Sequence, residues 1–135
     1  MTAAEGQRIL AENFAHWVQE LGLRVERTGK KEATLRLPFD ARLVRVGGTV
    51  CGQALMAAAD TAMVIAISCA LGGFRPMATV SQNVSFFRPV ANKDVLVTAR
   101  VLKMGKTLAF GEIVMQADDN TDVAAHATTT YAIPA

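Results

Sequence analysis

A chain of 135 residues has the length of one domain and can bury a core without disulfides or a structural metal. With 51% hydrophobic and 19% charged residues it is not a disordered chain, and a net charge of +2 gives no general affinity for nucleic acid. Cys51 and Cys69 belong to no CxxC pair or Cys/His cluster, so neither a disulfide scaffold nor a metal site is expected. The first residues carry charges and lack an apolar core with a cleavage site, which makes a reducing cytoplasm the expected compartment.

Thr2 and Glu5 have capping-box spacing, and Ile9, Leu10, Phe14, Trp17, Val18 and Leu21 share one helical face, predicting an amphipathic helix over 2–21 that stops at Gly22. Residues 23–27 and 32–37 predict a hairpin around Thr28-Gly29-Lys30, with Pro38 ending its second strand. Residues 39–46 have no clear period and predict a loop; with Arg42 and Arg45 it is a candidate wall of a site.

Residues 47–73, GGTVCGQALMAAADTAMVIAISCALGG, dominate the chain. Glycines open the stretch, strong helix formers run from Ala54 to Leu71, and Gly72-Gly73 predict a left-handed cap. The helix is apolar on nearly all sides, as expected of one wrapped by other structure. It approaches bilayer-spanning length, but Asp60 at its centre and the alternating strands beyond it favour a core helix over a membrane span. A carboxylate in such a helix is costly to desolvate, so Asp60 is expected to be paired, protonated or used in chemistry.

Strands are predicted at 77–87, 94–103, 107–117 and 123–133, separated by turn-forming segments such as Met104-Gly105-Lys106 and Asp118-Asp119-Asn120. Val95, Val97, Ala99 and Val101 alternate with period two, so one sheet face is buried. Short turns make the sheet antiparallel. The fold class is α+β, a single domain over 1–135 in which a sheet curls around one helix.

Gly47, Gly48 and Gly52 surround the helix start, where unpaired backbone N–H groups stabilise negative charge such as the oxyanion formed when a thioester or ester carbonyl is attacked. A tight turn at a helix start would use the same glycines. Asp60 lies eight residues beyond Gly52, roughly 12 Å along the axis, so one carbonyl cannot touch both. If both serve one site, a second copy of the chain must bring its helix alongside. Otherwise Asp60 only hydrogen-bonds a neighbouring backbone group or hydroxyl.

GTVCGQALMAAAD, TVSQNVSFFRPV and VLKMGKTLAF together resemble the PaaI-like branch of the hot-dog-fold acyl-CoA thioesterases, from about Val44 to the C-terminus. That family shows G-x-x-H-G-G with an aspartate nine residues after the histidine; here Gly48-Thr49-Val50-Cys51-Gly52-Gln53 fills the motif and Asp60 follows Cys51 by nine. The resemblance implies a helix wrapped by an antiparallel sheet, a homodimer or dimer of dimers with sheets joined edge to edge, and two interfacial sites per dimer. It implies that Gly52 supplies an oxyanion N–H, that Asp60 of the partner is general base or nucleophile, and that Thr79 positions the attacking water. Three positions depart from the family: Cys51 replaces its histidine, Gln53 its second glycine, and Arg45 an asparagine that lines the site.

Cys51 near a helix N-terminus is a candidate nucleophile, but neither His16 nor His126 is an evident partner, and a small apolar filler is the preferred reading. Arg88, Lys103 and Lys106, at or near strand ends, match family positions bordering the coenzyme A nucleotide, although surface charge explains each alone. Phe86 and Phe87, as neighbours on one strand, are expected to face opposite ways, with Phe87 the candidate for the substrate channel. Ala58, Ala62 and Met63 are candidates for shaping the acyl pocket. The expected activity is hydrolysis of a small to medium acyl or aryl-acyl CoA without cofactor, metal, nucleic acid or membrane. A hydratase would want a histidine paired with an acid at the site. A non-catalytic acyl-CoA-binding or regulatory hot-dog protein is the alternative kept open by the missing motif histidine.

Overall fold

The computed structural model describes residues 1–135. Helix α1, Ala3–Asn13, begins as expected: Thr2 accepts the Glu5 N–H at 3.1 Å. The predicted single helix nonetheless breaks. Phe14 is extended (φ −106°, ψ 152°) and a separate one-turn helix α2, His16–Gln19, follows. The apolar period runs through this break, so nothing in the pattern marks it. Asn13 Nδ2 donates to the Ile9 carbonyl in the last turn of α1, and Gln19 Nε2 donates to the Phe14 carbonyl, an acceptor that the break leaves without a helical partner.

Strands β1, Arg24–Thr28, and β2, Glu32–Leu37, form the expected hairpin. The segment predicted to be a loop is more ordered than its sequence suggests. It contains a 3-10 turn at Ala41–Leu43, capped by Asp40 accepting the Arg42 N–H, then a two-residue ladder of β3, Val44–Arg45, with β4, Thr49–Val50. Gly47 and Gly48 turn this ladder with φ of +88° and +76°, a region that favours glycine.

Helix α3, Gly52–Leu71, ends at Gly72 in the left-handed conformation (φ +80°) with the Gly73 N–H bonded to the Ser68 carbonyl. Strands β5, Ala78–Phe86, β6, Val95–Met104, β7, Leu108–Ala117, and β8, Ala125–Ala132, complete an antiparallel sheet of order β1-β2-β6-β7-β8-β5. Val95, Val97, Ala99, Ile113, Met115, Ala125 and Ala127 turn inward and close the core over α3. Burial of that face removes apolar side chains from water at about 25 cal/mol per Å² and is the main force holding the helix in the sheet.

The wrapping is incomplete. Gln53 and Met56 are exposed and Ala57 and Asp60 half-buried, a stripe at helical spacing that the chain itself leaves uncovered. Asp60 therefore sits at the margin of the core, not sealed within it. Edge strand β5 pairs only with β8, and most of its residues are exposed, including Val80.

Candidate active site

The start of α3 is held from two sides: the Val50 N–H donates to the Val90 carbonyl at 2.9 Å and the Cys51 N–H to the Leu43 carbonyl at 2.8 Å. Cys51 is the N-cap residue, extended, and its side chain makes no capping bond. The first turn contains no acidic residue. The helix N-terminus thus keeps its donors and its partial positive charge available to an external oxygen.

Gly52 borders a cavity of about 440 Å³ with Arg45, Leu55, Phe86, Phe87 and Arg88. Cys51 and Gln53 instead line a second hollow of about 280 Å³ with Trp17, Leu21, Leu43 and Ala54. The two hollows flank the helix start. Phe86 and Phe87 both reach the larger one, contrary to the expectation that they face apart: β5 ends at Phe86, so strand alternation no longer governs Phe87. Ala58, Ala62 and Met63 cannot shape either hollow, because all three are packed into the core, with Met63 filling the space beside Gly111.

Asp60 faces the opposite end of the sheet. Its Oδ1 accepts from the Thr79 hydroxyl at 2.8 Å and from the hydroxyl of Tyr131, which also lies 2.8 Å from the Asp60 carbonyl. Thr79 and Tyr131 are cross-strand partners on β5 and β8. The single hydroxyl proton of Thr79 is thereby directed to Asp60, leaving the threonine oxygen able only to accept from a water molecule. Gln82, on the same inner face, donates to the Met56 carbonyl one turn before Asp60.

Register divides the predicted site residues into two groups. Phe86 pairs with Ala125 at one end of the sheet, next to Gly52, Arg45, Phe87 and Arg88; Thr79 pairs with Tyr131 and Tyr131 with Ala109 at the other, where Lys103 near the end of β6 and Lys106 in the β6–β7 turn lie. One chain does not bring the groups together. Arg88 is ion-paired with Asp122 at 3.0 Å, whereas Arg45, Lys103 and Lys106 have no ion-pair partner.

Neither histidine approaches Cys51. His16 pairs with Glu20, and His126 pairs with Glu112 on the outer sheet face, where His126 first and Arg100 second hold the Glu112 carboxyl below its usual range. No group of three or more metal-ligating side chains occurs. Sequence reasoning missed Tyr131, Gln82 and the approach of Phe86 to Gly52. The inward alternation of Ala125, Ala127, Thr129 and Tyr131 was a usable signal for the tyrosine.

The profile of the thioesterase superfamily matches residues 47–124, which hold the helix start, Asp60, Thr79 and three of the four long strands. The chain belongs to the thioesterase superfamily. Its fold is the hot-dog fold: it superposes with a TM-score of 0.83 on the Escherichia coli PaaI protein of the phenylacetic acid degradation operon, at 17% identity, over 100% of this chain and 96% of that one. A Silicibacter structure provisionally described as a thioesterase is similar at 31% identity and a TM-score of 0.88, covering 100% of this chain and 93% of that chain. A provisionally named esterase of Thermoplasma volcanium is 31% identical over 97 residues, 66% of each protein. The resemblance carried by the sequence motifs therefore stands at the level of the thioesterase superfamily and the hot-dog fold.

Proposed function

We propose that this chain hydrolyses the thioester of a small to medium acyl or aryl-acyl CoA, as a homodimer in which Gly52 of one protomer and Asp60 of the other share a site. The observation that carries the proposal is the state of Asp60: a half-buried carboxylate on an uncovered helix stripe, with Oδ1 held by two hydroxyls and Oδ2 without a partner from the chain. A carboxylate kept only for structure would have both oxygens engaged or solvated away from the core.

In the proposed reaction Asp60 Oδ2 accepts a proton from water as the water oxygen attacks the thioester carbonyl carbon. The carbonyl oxygen becomes an oxyanion facing the uncapped N–H groups at Gly52 of the other protomer, donors worth a few kcal/mol each at the transition state. Collapse breaks the C–S bond, and the thiolate of coenzyme A takes up a proton as the carboxylic acid leaves. The open edge of β5 and the exposed stripe of α3 support the dimer, since a two-fold axis there would join one sheet edge to its copy and bring the two residue groups together. The same operation brings Lys103 and Lys106 of one protomer toward Arg45 and Arg88 of the other, a basic mouth suited to the nucleotide phosphates.

Hydrolysis of a panel of acyl-CoAs by the wild type and Asp60→Asn tests the proposal. Turnover by the wild type and a loss on the order of 10² or more in the folded variant are expected. Tight binding of acyl-CoA with no turnover by the wild type would instead favour a binding protein, the reading that Cys51 in the histidine position supports.

A further inference from the structure

Tyr131 is the largest wholly buried side chain of the core, 1% exposed at an inward position of β8. A phenol in such a place needs a hydrogen-bond partner, and it could have taken any free carbonyl. Instead its hydroxyl rises to α3 and meets both the carbonyl and the carboxylate of one residue, Asp60. Burial first, then the neighbouring Asp60 charge, pushes its ionisation far upward, so it remains a proton donor wherever the protein is folded. The nearby inward side chains, Thr79 and Gln82 of β5, Ala109 of β7 and Thr129 of β8, are uncharged, as are Met56, Ala57, Met63 and Val64 on α3. Tyr131 is thus the one titratable group that touches the carboxylate.

Resting on the proposed role of Asp60, we infer that Tyr131 is a positioning residue for the reaction: with Thr79 it pins Asp60 Oδ1, so that Oδ2 alone is presented to the attacking water. Two donors on one oxygen stop rotation of the carboxylate about the Cβ–Cγ bond. They also make the two oxygens unequal. The donor on β5 is exposed and the donor on β8 sealed in the core, so the tyrosine bond is the one protected from exchange with water. Gln82, anchored to the Met56 carbonyl, holds the same turn of α3 against β5.

The sequence contains a single tyrosine, so growth on 3-fluorotyrosine modifies position 131 alone. Fluorination makes the phenol a stronger donor with little change in size, and Tyr131→Phe removes the donor. For Tyr131→Phe, kcat is expected to fall about 10-fold and KM for acyl-CoA to change less than about 2-fold, since pinning acts on geometry at the reacting atoms. In the Asp60→Asn background Tyr131→Phe should change the residual rate by less than about 2-fold, because no carboxylate is left to pin. In the fluorotyrosine protein kcat is expected to change by about 2-fold or more with KM unmoved. An equal loss from Tyr131→Phe in both backgrounds, with Asp60→Asn itself strongly impaired, would overturn the role of Tyr131 and leave Asp60 as the base. Full activity of Asp60→Asn would remove the underlying reading itself. Should Tyr131→Phe fail to fold, the fluorotyrosine protein decides alone: an unchanged kcat refutes the inference.

Discussion

The ring of Phe86 lies against the backbone of Gly52, its tip 3.3 Å from the point where a β-carbon on residue 52 would stand. The contact ties the end of β5 to the first turn of α3 and sets the wall of the larger cavity. It also explains the glycine by close approach, independently of any oxyanion role. Gly52→Ala is expected to fold, because Phe86 is itself half exposed and its ring tip can yield, but the helix start and ring must separate slightly. Turnover should drop about 10-fold with a modest loss of stability, and adding Phe86→Leu should restore stability more than activity. A double-mutant cycle by thermal unfolding is expected to give a coupling of about 0.5–1.5 kcal/mol. Additive effects would show that the contact carries no energy.

Cys51 caps α3 without contributing a side-chain bond and has no imidazole partner. Cys51→Ala and Cys51→Ser should therefore retain most of the wild-type hydrolysis. Mass spectrometry during turnover should find no acyl group on the thiol. A stable acylated Cys51, with loss of activity in both variants, would reverse this assignment.

Much of this arrangement can be read in the residues, and what cannot has a common cause. The end of α3 follows from Gly72, whose left-handed conformation favours glycine, and β2 falls at 32–37 because Pro38 stops it. Asp60 stood out as the one charge in an apolar helix. Its partner Tyr131 is 71 residues further along and reaches it only through the pairing of β5 with β8, a long-range event with no local signature. Phe86 and Phe87 share one cavity, against the expectation that they face apart, because strand parity does not extend one residue beyond the strand. The break at Phe14 and the β3–β4 ladder are each set by a few hydrogen bonds, too few to leave a periodic pattern.

Asp94 accepts the Phe39 N–H at 2.6 Å and Arg36 Nη1 at 3.1 Å, anchoring the segment that carries Arg45 to the start of β6. The Phe39 N–H first, and Arg36 after it, hold the Asp94 carboxyl below its usual range. A carboxyl depressed in the folded state adds stability that is complete above its unfolded value, about pH 3.9, and is lost as pH falls through the lower folded value. Asp94→Asn should therefore lower stability by about 1–2 kcal/mol at pH 7. The gap between the two proteins should stay constant down to about pH 5 and narrow below pH 4. Urea unfolding at pH 7, 5 and 3 measures it, and a gap independent of pH would show that the carboxylate charge is not what anchors the loop.

Gly52 and Asp60 touch opposite ends of β5, Phe86 for the one and Thr79 for the other, with roughly 12 Å of helix between them. A reacting carbonyl and its attacking water must lie within about 3–3.5 Å of each other, so a site that uses both residues draws them from two protomers. Gly52→Pro removes the N–H donor at the first helical position, where proline is tolerated, and the extended conformation of Cys51 (φ −70°, ψ 151°) is the one a following proline requires. Its ring would crowd Phe86 as alanine does, so Gly52→Ala is the control that adds the β-carbon and keeps the donor. Gly52→Pro and Asp60→Asn should each be inactive alone. Mixed after reversible dissociation, they should regain about a quarter of the wild-type rate, since half the dimers are hybrids and each hybrid has one intact site of two. Native mass spectrometry establishes that hybrids have formed. Inactive hybrids from two folded parents would mean that Asp60 works with donors of its own chain, and the shared site would have to be abandoned.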